Sequence, residues 1–155
     1  MAEAPGQGEE ARREAPDVDA RAAAVSQDGL LLAIVDDLMA RSRIDAAAGV
    51  AGIEVRYVRS FDDLKSATDQ GPTRALLVGM AATRRPWPDL VRQLRADDGT
   101  RGLYVLAFGP HKNLGLRTQA LEAGVDRVVA NSAFMRLLPT LLVTPTADVP
   151  DDEDE

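Results

Sequence analysis

Four short runs of uninterrupted apolar residues punctuate this chain, and they constrain the fold more than anything else in it. They are Leu30 to Val35, Ala75 to Val78, Leu103 to Phe108 and the hydrophobic part of Asp126 to Ala130. Runs this short and this apolar are the mark of strands covered on both faces. Leu30 to Val35, which no other run exceeds in length, is far below the ~20 residues needed to cross a bilayer. A fifth segment, Ile53 to Val58, alternates apolar and polar residues and reads as a more exposed strand at a sheet edge.

Between the runs lie segments of helical character. Leu38 to Ala51 is rich in helix formers and is followed by Gly52, a stop signal. Ser60 is placed to cap a short helix from Phe61 to Asp69, and Gly71-Pro72 breaks it. Asp89 to Ala96 and Leu114 to Ala123 are the next two helices, the latter closing on Gly124. A short final helix is expected to begin near Pro139, since proline suits a first helical turn and harms the interior.

Five βα units in succession imply a parallel sheet with right-handed crossovers and helices on both faces. The expected fold class is α/β, a flavodoxin-like doubly wound five-stranded parallel sheet of order 2-1-3-4-5. Ligands of such sheets bind outside the carboxyl ends of the strands. The loops expected there are Asp36-Asp37, Gly79-Met80, Phe108 to His111 and Asn131-Ser132.

Charge divides the chain into three parts. The net charge of −7 resolves into −4 over residues 1–28, +3 over 29–145 and −6 over 146–155. Both flanks are rich in Ala, Pro, Asp and Glu and poor in large apolar side chains, so they cannot offset the entropy of ordering. The expected organisation is a disordered acidic tail over 1–28, one domain over 29–145 and a disordered acidic tail over 146–155. The terminal DDEDE is either a solubility tail or a competitor for a basic face of the core. The first sixteen residues lack the apolar stretch of a secretory signal, and the chain is read as soluble and cytoplasmic.

The chemistry that can be excluded is broad. With no cysteine and a single histidine, His111, no thiol nucleophile, thiolate metal site or nucleophile–base pair can be proposed. Gly79 has neither G-x-G-x-x-G nor G-x-x-x-x-G-K around it, so no nucleotide cofactor is supported. The arginines are scattered among acids without a basic stripe, which leaves nucleic-acid binding unsupported.

Three segments in this order and spacing carry a resemblance: IVDDLMARSR, LVRQLRADDGTRGLYVLAF and LEAGVDRVVANS. Over roughly residues 29–144 the chain resembles the receiver domain of bacterial two-component response regulators. The resemblance implies five site positions: an acidic pair that helps hold Mg²⁺, an acceptor Asp ending the third strand, a hydroxyl residue ending the fourth and a Lys ending the fifth. Asp36 and Asp37 match the pair. The other three positions fall on Gly79, Phe108 and Asn131, none of which carries the required group. No cofactor is expected, and no metal beyond a weak Asp36–Asp37 option. The alternative for the pair is structural, with Asp37 capping the following helix, where free N–H groups and the dipole favour negative charge.

The resemblance therefore implies a degenerate, stand-alone pseudo-receiver, neither phosphorylated nor enzymatic, that serves as a signalling or protein-interaction module. Its expected partner is a signalling kinase, a regulator or a second copy, with a homodimer through the final-helix face (Leu137, Leu138, Leu141, Leu142 and Val143). The other reading is a small-metabolite sensor using the vacated acceptor pocket, unless Phe108 and Trp87 plug it. Arg84, Arg85 and Trp87 in RRPWP, and His111 in GPHKN, are candidate ligand or partner contacts. Trp87 can instead fold back over the rim, and His111 can be a plain exposed loop residue.

Overall fold

The computed structural model describes residues 18–149, apart from 27, 83, 85 and 111. Five strands form one sheet: β1 (Leu30–Ile34), β2 (Val55–Tyr57), β3 (Thr73–Gly79), β4 (Val105–Gly109) and β5 (Arg127–Ala130). Every pairing is parallel and the order is β2-β1-β3-β4-β5. The helices are α1 (18–23), α2 (Leu38–Ala51), α3 (Phe61–Gln70), α4 (Trp87–Ala96), α5 (Leu114–Ala123), α6 (Asn131–Arg136) and α7 (Leu138–Val143).

Strand alternation sorts the core into two layers. Leu31, Ala33, Ala75, Leu77, Leu106 and Phe108 face the layer of α2, α6 and α7, where they meet Ile44, Phe134, Leu141 and Leu142. Leu32, Ile34, Leu76, Val78, Val105 and Ala107 face α3, α4 and α5, where they meet Leu64, Leu90, Val91 and Leu94. Burial on both faces is why the central strands are continuous apolar runs. β2, at the edge, is only half-buried along its length, as its alternating sequence predicts. Among the described residues no helix is long and apolar enough to cross a membrane.

The helix ends follow from local chemistry. Ser60 accepts from the Asp63 N–H (3.1 Å) at the start of α3, and Asp63 accepts in return from the Arg59 N–H (3.0 Å), a close variant of the capping box. Gly124 ends α5 at φ 119°, a left-handed conformation that L side chains rarely adopt. Its N–H bonds back to the carbonyls of Ala120 and Leu121.

Two expectations need correction. The segment after β5 is not a loop: Asn131 opens α6 directly, and α7 follows it almost without a break. Asn and Ser are turn formers, and a six-residue helix is too short to show a periodicity. The flanks are also more ordered than their composition predicts. Within the expected tail over 1–28, residues 18–23 are helical, and Ala22 and Val25 pack on the α2–α7 core. Past residue 145, Ala147 and Val149 pack on the same core. Small apolar residues docked by a few polar anchors order these stretches, which a count of large side chains does not foresee. The remaining tail residues, 1–17 and 150–155, lie outside the described residues.

At the amino end of the sheet one carboxylate ties the layers together. Asp126 is fully buried in its side chain and accepts from four donors. Its Oδ1 takes Nε (2.9 Å) and Nη2 (2.8 Å) of Arg21 from α1. Its Oδ2 takes Nη2 of Arg95 from α4 (2.7 Å) and the Val105 N–H of β4 (2.9 Å). Arg95 also donates to the carbonyls of Gly124, Arg101 and Leu103. A buried charge is tolerated when it is paired and its lone pairs are satisfied, and here both conditions hold.

Candidate functional site at the carboxyl ends of the strands

The switch point of this sheet lies at β1 and β3, the place where ligands of open α/β sheets bind. A cavity of about 150 Å³ lies there, lined by Asp36, Asp37, Gly79, Phe108 and Asn131 together with apolar neighbours that include Ala40 and Met135. The five residues singled out in the sequence thus converge on one place. They come from the ends of four strands.

Asp37 follows β1 in an extended conformation and caps α2, its Oδ1 accepting from the Met39 N–H at 3.0 Å. Asp36 reaches across the mouth of the cavity, where its Oδ2 accepts from the Arg84 N–H at 3.2 Å. That bond links the end of β1 to the loop after β3. The same loop turns back at once, because the Ala82 N–H bonds to the Gly79 carbonyl (3.0 Å).

Gly79 ends β3 and pairs in register with Phe108 of β4. A Cβ added at Gly79 would lie 3.3 Å from Phe108 Cζ and 3.6 Å from the Ile34 carbonyl oxygen, tighter than ordinary contact on the aromatic side. The Phe108 ring cannot easily yield. It stacks on Phe134 of α6 with centroids 4.0 Å apart and planes 1° from parallel, and both rings are buried. The cavity floor is therefore apolar, and its polar groups sit at the rim. Asn131 is exposed at the first turn of α6.

The remaining candidates are not gathered here. Trp87 is 3 % exposed and packs in the layer of α3, α4 and α5, with its Nε1–H donated to the Met80 carbonyl at 3.2 Å. It neither presents a ring to a partner nor lines the cavity; its indole fixes the loop after β3 from beneath. The aromatic that backs the Phe108 ring is Phe134, which is fully buried. Arg84 is exposed and contributes its backbone N–H. Arg85 and His111 lie outside the described residues. The final-helix face is also not free: Leu138, Leu141 and Leu142 are buried against α2 and the sheet, and only Val143, at 39 %, is appreciably exposed. Leu138, Leu141 and Leu142 complete the core, and Leu137 is partly buried against it.

Phe134 and Met135 were not legible as site residues. Only the placement of α6 directly after β5 brings Met135 to the cavity and Phe134 against the Phe108 ring, and no motif marks that placement.

Electrostatic perturbation lies away from this cavity. Burial, and then the bond from its hydroxyl to Asp45 (2.7 Å), push the Tyr57 phenol upward in pKa, and the Arg41 guanidinium stands 4.0 Å over its ring. Their bond (2.9 Å) raises Lys65 and lowers Asp97. Among the described residues no three His, Cys, Asp or Glu side chains gather in one place.

No family model matches the chain, and no curated protein matches its sequence. Solved structures do match. A response regulator in red light signaling of R. palustris aligns at 20 % identity and TM-score 0.60, covering 81 % of this chain and 100 % of that one. A response regulator receiver domain from Rhodospirillum rubrum aligns at 17 % identity and TM-score 0.60, covering 80 % and 99 %. The receiver domain of a sensor histidine kinase from Pseudomonas aeruginosa, with magnesium coordinated in its active site cleft, aligns at 19 % identity and TM-score 0.58, covering 72 % and 95 %. Strand order, crossover pattern and these near-complete alignments agree, and the chain has the fold of a response-regulator receiver domain.

Proposed function

We propose that this chain is a non-enzymatic signalling module, a pseudo-receiver that is not phosphorylated and that works by binding a protein. The observation that carries the proposal is the contact between Gly79 and Phe108. At Gly79, where the receiver resemblance puts a phosphoacceptor, there is no side chain, and a Cβ added there would stand 3.3 Å from a ring stacked on Phe134. The nucleophile of a phosphotransfer needs both the carboxylate and room for the phosphoryl group around it.

The residues present also do not fit the divalent ion that a related receiver carries in its cleft. Mg²⁺ takes near-octahedral oxygen ligation, with one or two carboxylates completed by phosphate oxygens and waters. Here Asp37 spends an oxygen on a helix N-terminus, Asp36 spends one on the Arg84 N–H, and Gly79 offers no third carboxylate. The acidic pair acts instead as two structural acceptors that fix the loops after β1 and β3.

Protein binding is favoured over metabolite sensing by size and by the rim. The cavity holds about 150 Å³, below the ~300–1,000 Å³ of small-molecule sites. Beside it, Leu38 and Met39, which follow Asp37 at the start of α2, are mostly exposed. Apolar side chains beside a charged rim are a feature of protein-interaction surfaces.

Native mass spectrometry of the full chain tests the proposal, first with Mg²⁺ and acetyl phosphate, then after incubation with lysate. The expected result is an unmodified mass in the first condition and a retained protein in the second. A stoichiometric phosphate adduct overturns the pseudo-receiver reading. A retained small molecule without a protein transfers the case to the metabolite sensor.

A further inference from the structure

The helices of successive βα units run opposite to their strands, so α2 and α3 end where the strands begin. At that end a groove of about 450 Å³ lies at the starts of β1, β2 and β3, within the ~300–1,000 Å³ of small-molecule sites. Four charged side chains line it: Asp28 ahead of β1, Glu54 and Arg56 at β2, and Arg74 in β3. The Glu54 carbonyl takes the Leu31 N–H (2.9 Å) and extends the ladder of β2, so Glu54 and Arg56 stand on one side of that strand. Both arginines are half-buried and anchored. Arg74 Nε donates to the Gly29 carbonyl (3.2 Å), and Arg56 Nη1 donates to Gln70 Oε1 (3.1 Å). Asp28 and Glu54 are exposed. Among the described residues none of the four is in an ion pair, although opposite charges line one groove.

Two helix ends add to the negative side. α2 stops at Gly52 and α3 at Gly71, both on the groove, and neither helix has a basic residue in its last turn. Carboxyl ends of helices favour positive charge. A Cβ added at Gly52 or Gly71 would meet nothing within 4 Å, so a ligand has access to the backbone at both ends. The base of the groove is firm. The Leu30 N–H donates to the Pro72 carbonyl (3.0 Å), and Gly29, at φ 103°, lies so near that carbonyl that a Cβ would collide with it.

We propose that this groove binds a small zwitterion of the amino-acid type. Its carboxylate is held by Arg56 and Arg74, and its ammonium by Glu54, Asp28 and the end of α3. A lone anion meets two carboxylates and two helix ends, and a lone cation meets two guanidiniums. A molecule with both charges a few bonds apart satisfies both sets. Guanidinium groups suit a carboxylate because their parallel N–H donors match its two oxygens. The groove lies at the opposite end of the sheet from Asp36 and Gly79, so the proposal is independent of the protein-binding reading.

Backbone amide spectra of the full chain, with each of the standard amino acids added in turn to about 10 mM, test the proposal. At least one amino acid is expected to shift the amides of Gly29, Gly52, Arg56 and Gly71 saturably. N-acetylation of that amino acid removes its ammonium and amidation removes its carboxylate, and each is expected to weaken binding about tenfold or more. Glu54→Gln and Arg56→Gln, which remove no core side chain, are expected to weaken it by similar factors and to leave the rest of the spectrum unchanged. The absence of a saturable shift with any amino acid overturns the proposal. So does a footprint around Asp36 and Gly79 instead, equal binding of the acetylated or amidated form, or an affinity that ignores both variants.

Discussion

The two ends of the sheet solve opposite problems. At the amino end a full negative charge is buried, and four donors from α1, α4 and β4 converge on it. At the carboxyl end the charges stay at the rim, and the interior is closed by stacked phenylalanines. A doubly wound sheet ordinarily places its polar machinery at the carboxyl end. Here the most demanding polar arrangement is at the other end, and it is structural. Buried polarity by itself does not mark a working site; what matters is whether the buried group has been given all its partners.

The largest effect is expected from Asp126→Ala. It leaves the Arg95 and Arg21 guanidiniums without their carboxylate and is expected to cost about 3–5 kcal/mol in urea unfolding. A loss below ~1 kcal/mol would mean that the amino end is no more tightly built than an exposed ion pair.

Gly79→Asp comes next. It forces a branched, charged side chain against Phe108 and is expected to destabilise by about 1–3 kcal/mol. It is also expected to gain no phosphate from acetyl phosphate, whereas Gly79→Asp with Phe108→Ser relieves the contact. Phosphate uptake by the single variant would show that the ring moves freely and that the cavity is not closed.

Asp37→Ala removes the α2 cap and is expected to cost about 1 kcal/mol. A gain in stability would instead mark the acidic pair as strained, as functional acids often are.

The smallest effect is expected from Lys65 and Asp97, a half-exposed pair outside the Asp126 cluster and the cavity. Asp97 is lowered, so its contribution is present above the usual carboxylate range and is lost as pH falls through its folded value. Lys65 is raised, so its contribution is present below the usual lysine range and is lost as pH rises through its folded value. The unfolding midpoint of Lys65→Met relative to the native chain is expected to show a small deficit at neutral pH that closes in acid. A deficit that persists at low pH would mean the lysine acts through its methylenes.

Much of the fold was legible because its strands are buried on both faces. Leu30 to Val35 and Leu103 to Phe108 have no alternation to misread, and the five-unit rhythm leaves one common topology. The site was legible as positions: Asp36, Asp37, Gly79, Phe108 and Asn131 follow from counting to the ends of strands. Their state was not. Trp87 looked like the ring to watch because it stands between arginines and prolines, yet its indole is buried with a backbone partner. Phe134 lies in a six-residue helix with no periodicity to betray it. The order in residues 18–23 was hidden too, since Arg21 gains its role only from Asp126, more than a hundred residues away.

The closeness of Gly79 to Phe108 has a historical consequence. A side chain added at 79 presses on the clamped ring at 108, and a smaller residue at 108 alone opens a hole above Phe134. Each single step is disfavoured although the pair of steps is not. The two positions are therefore coupled by packing, so that the residue tolerated at one depends on the residue at the other.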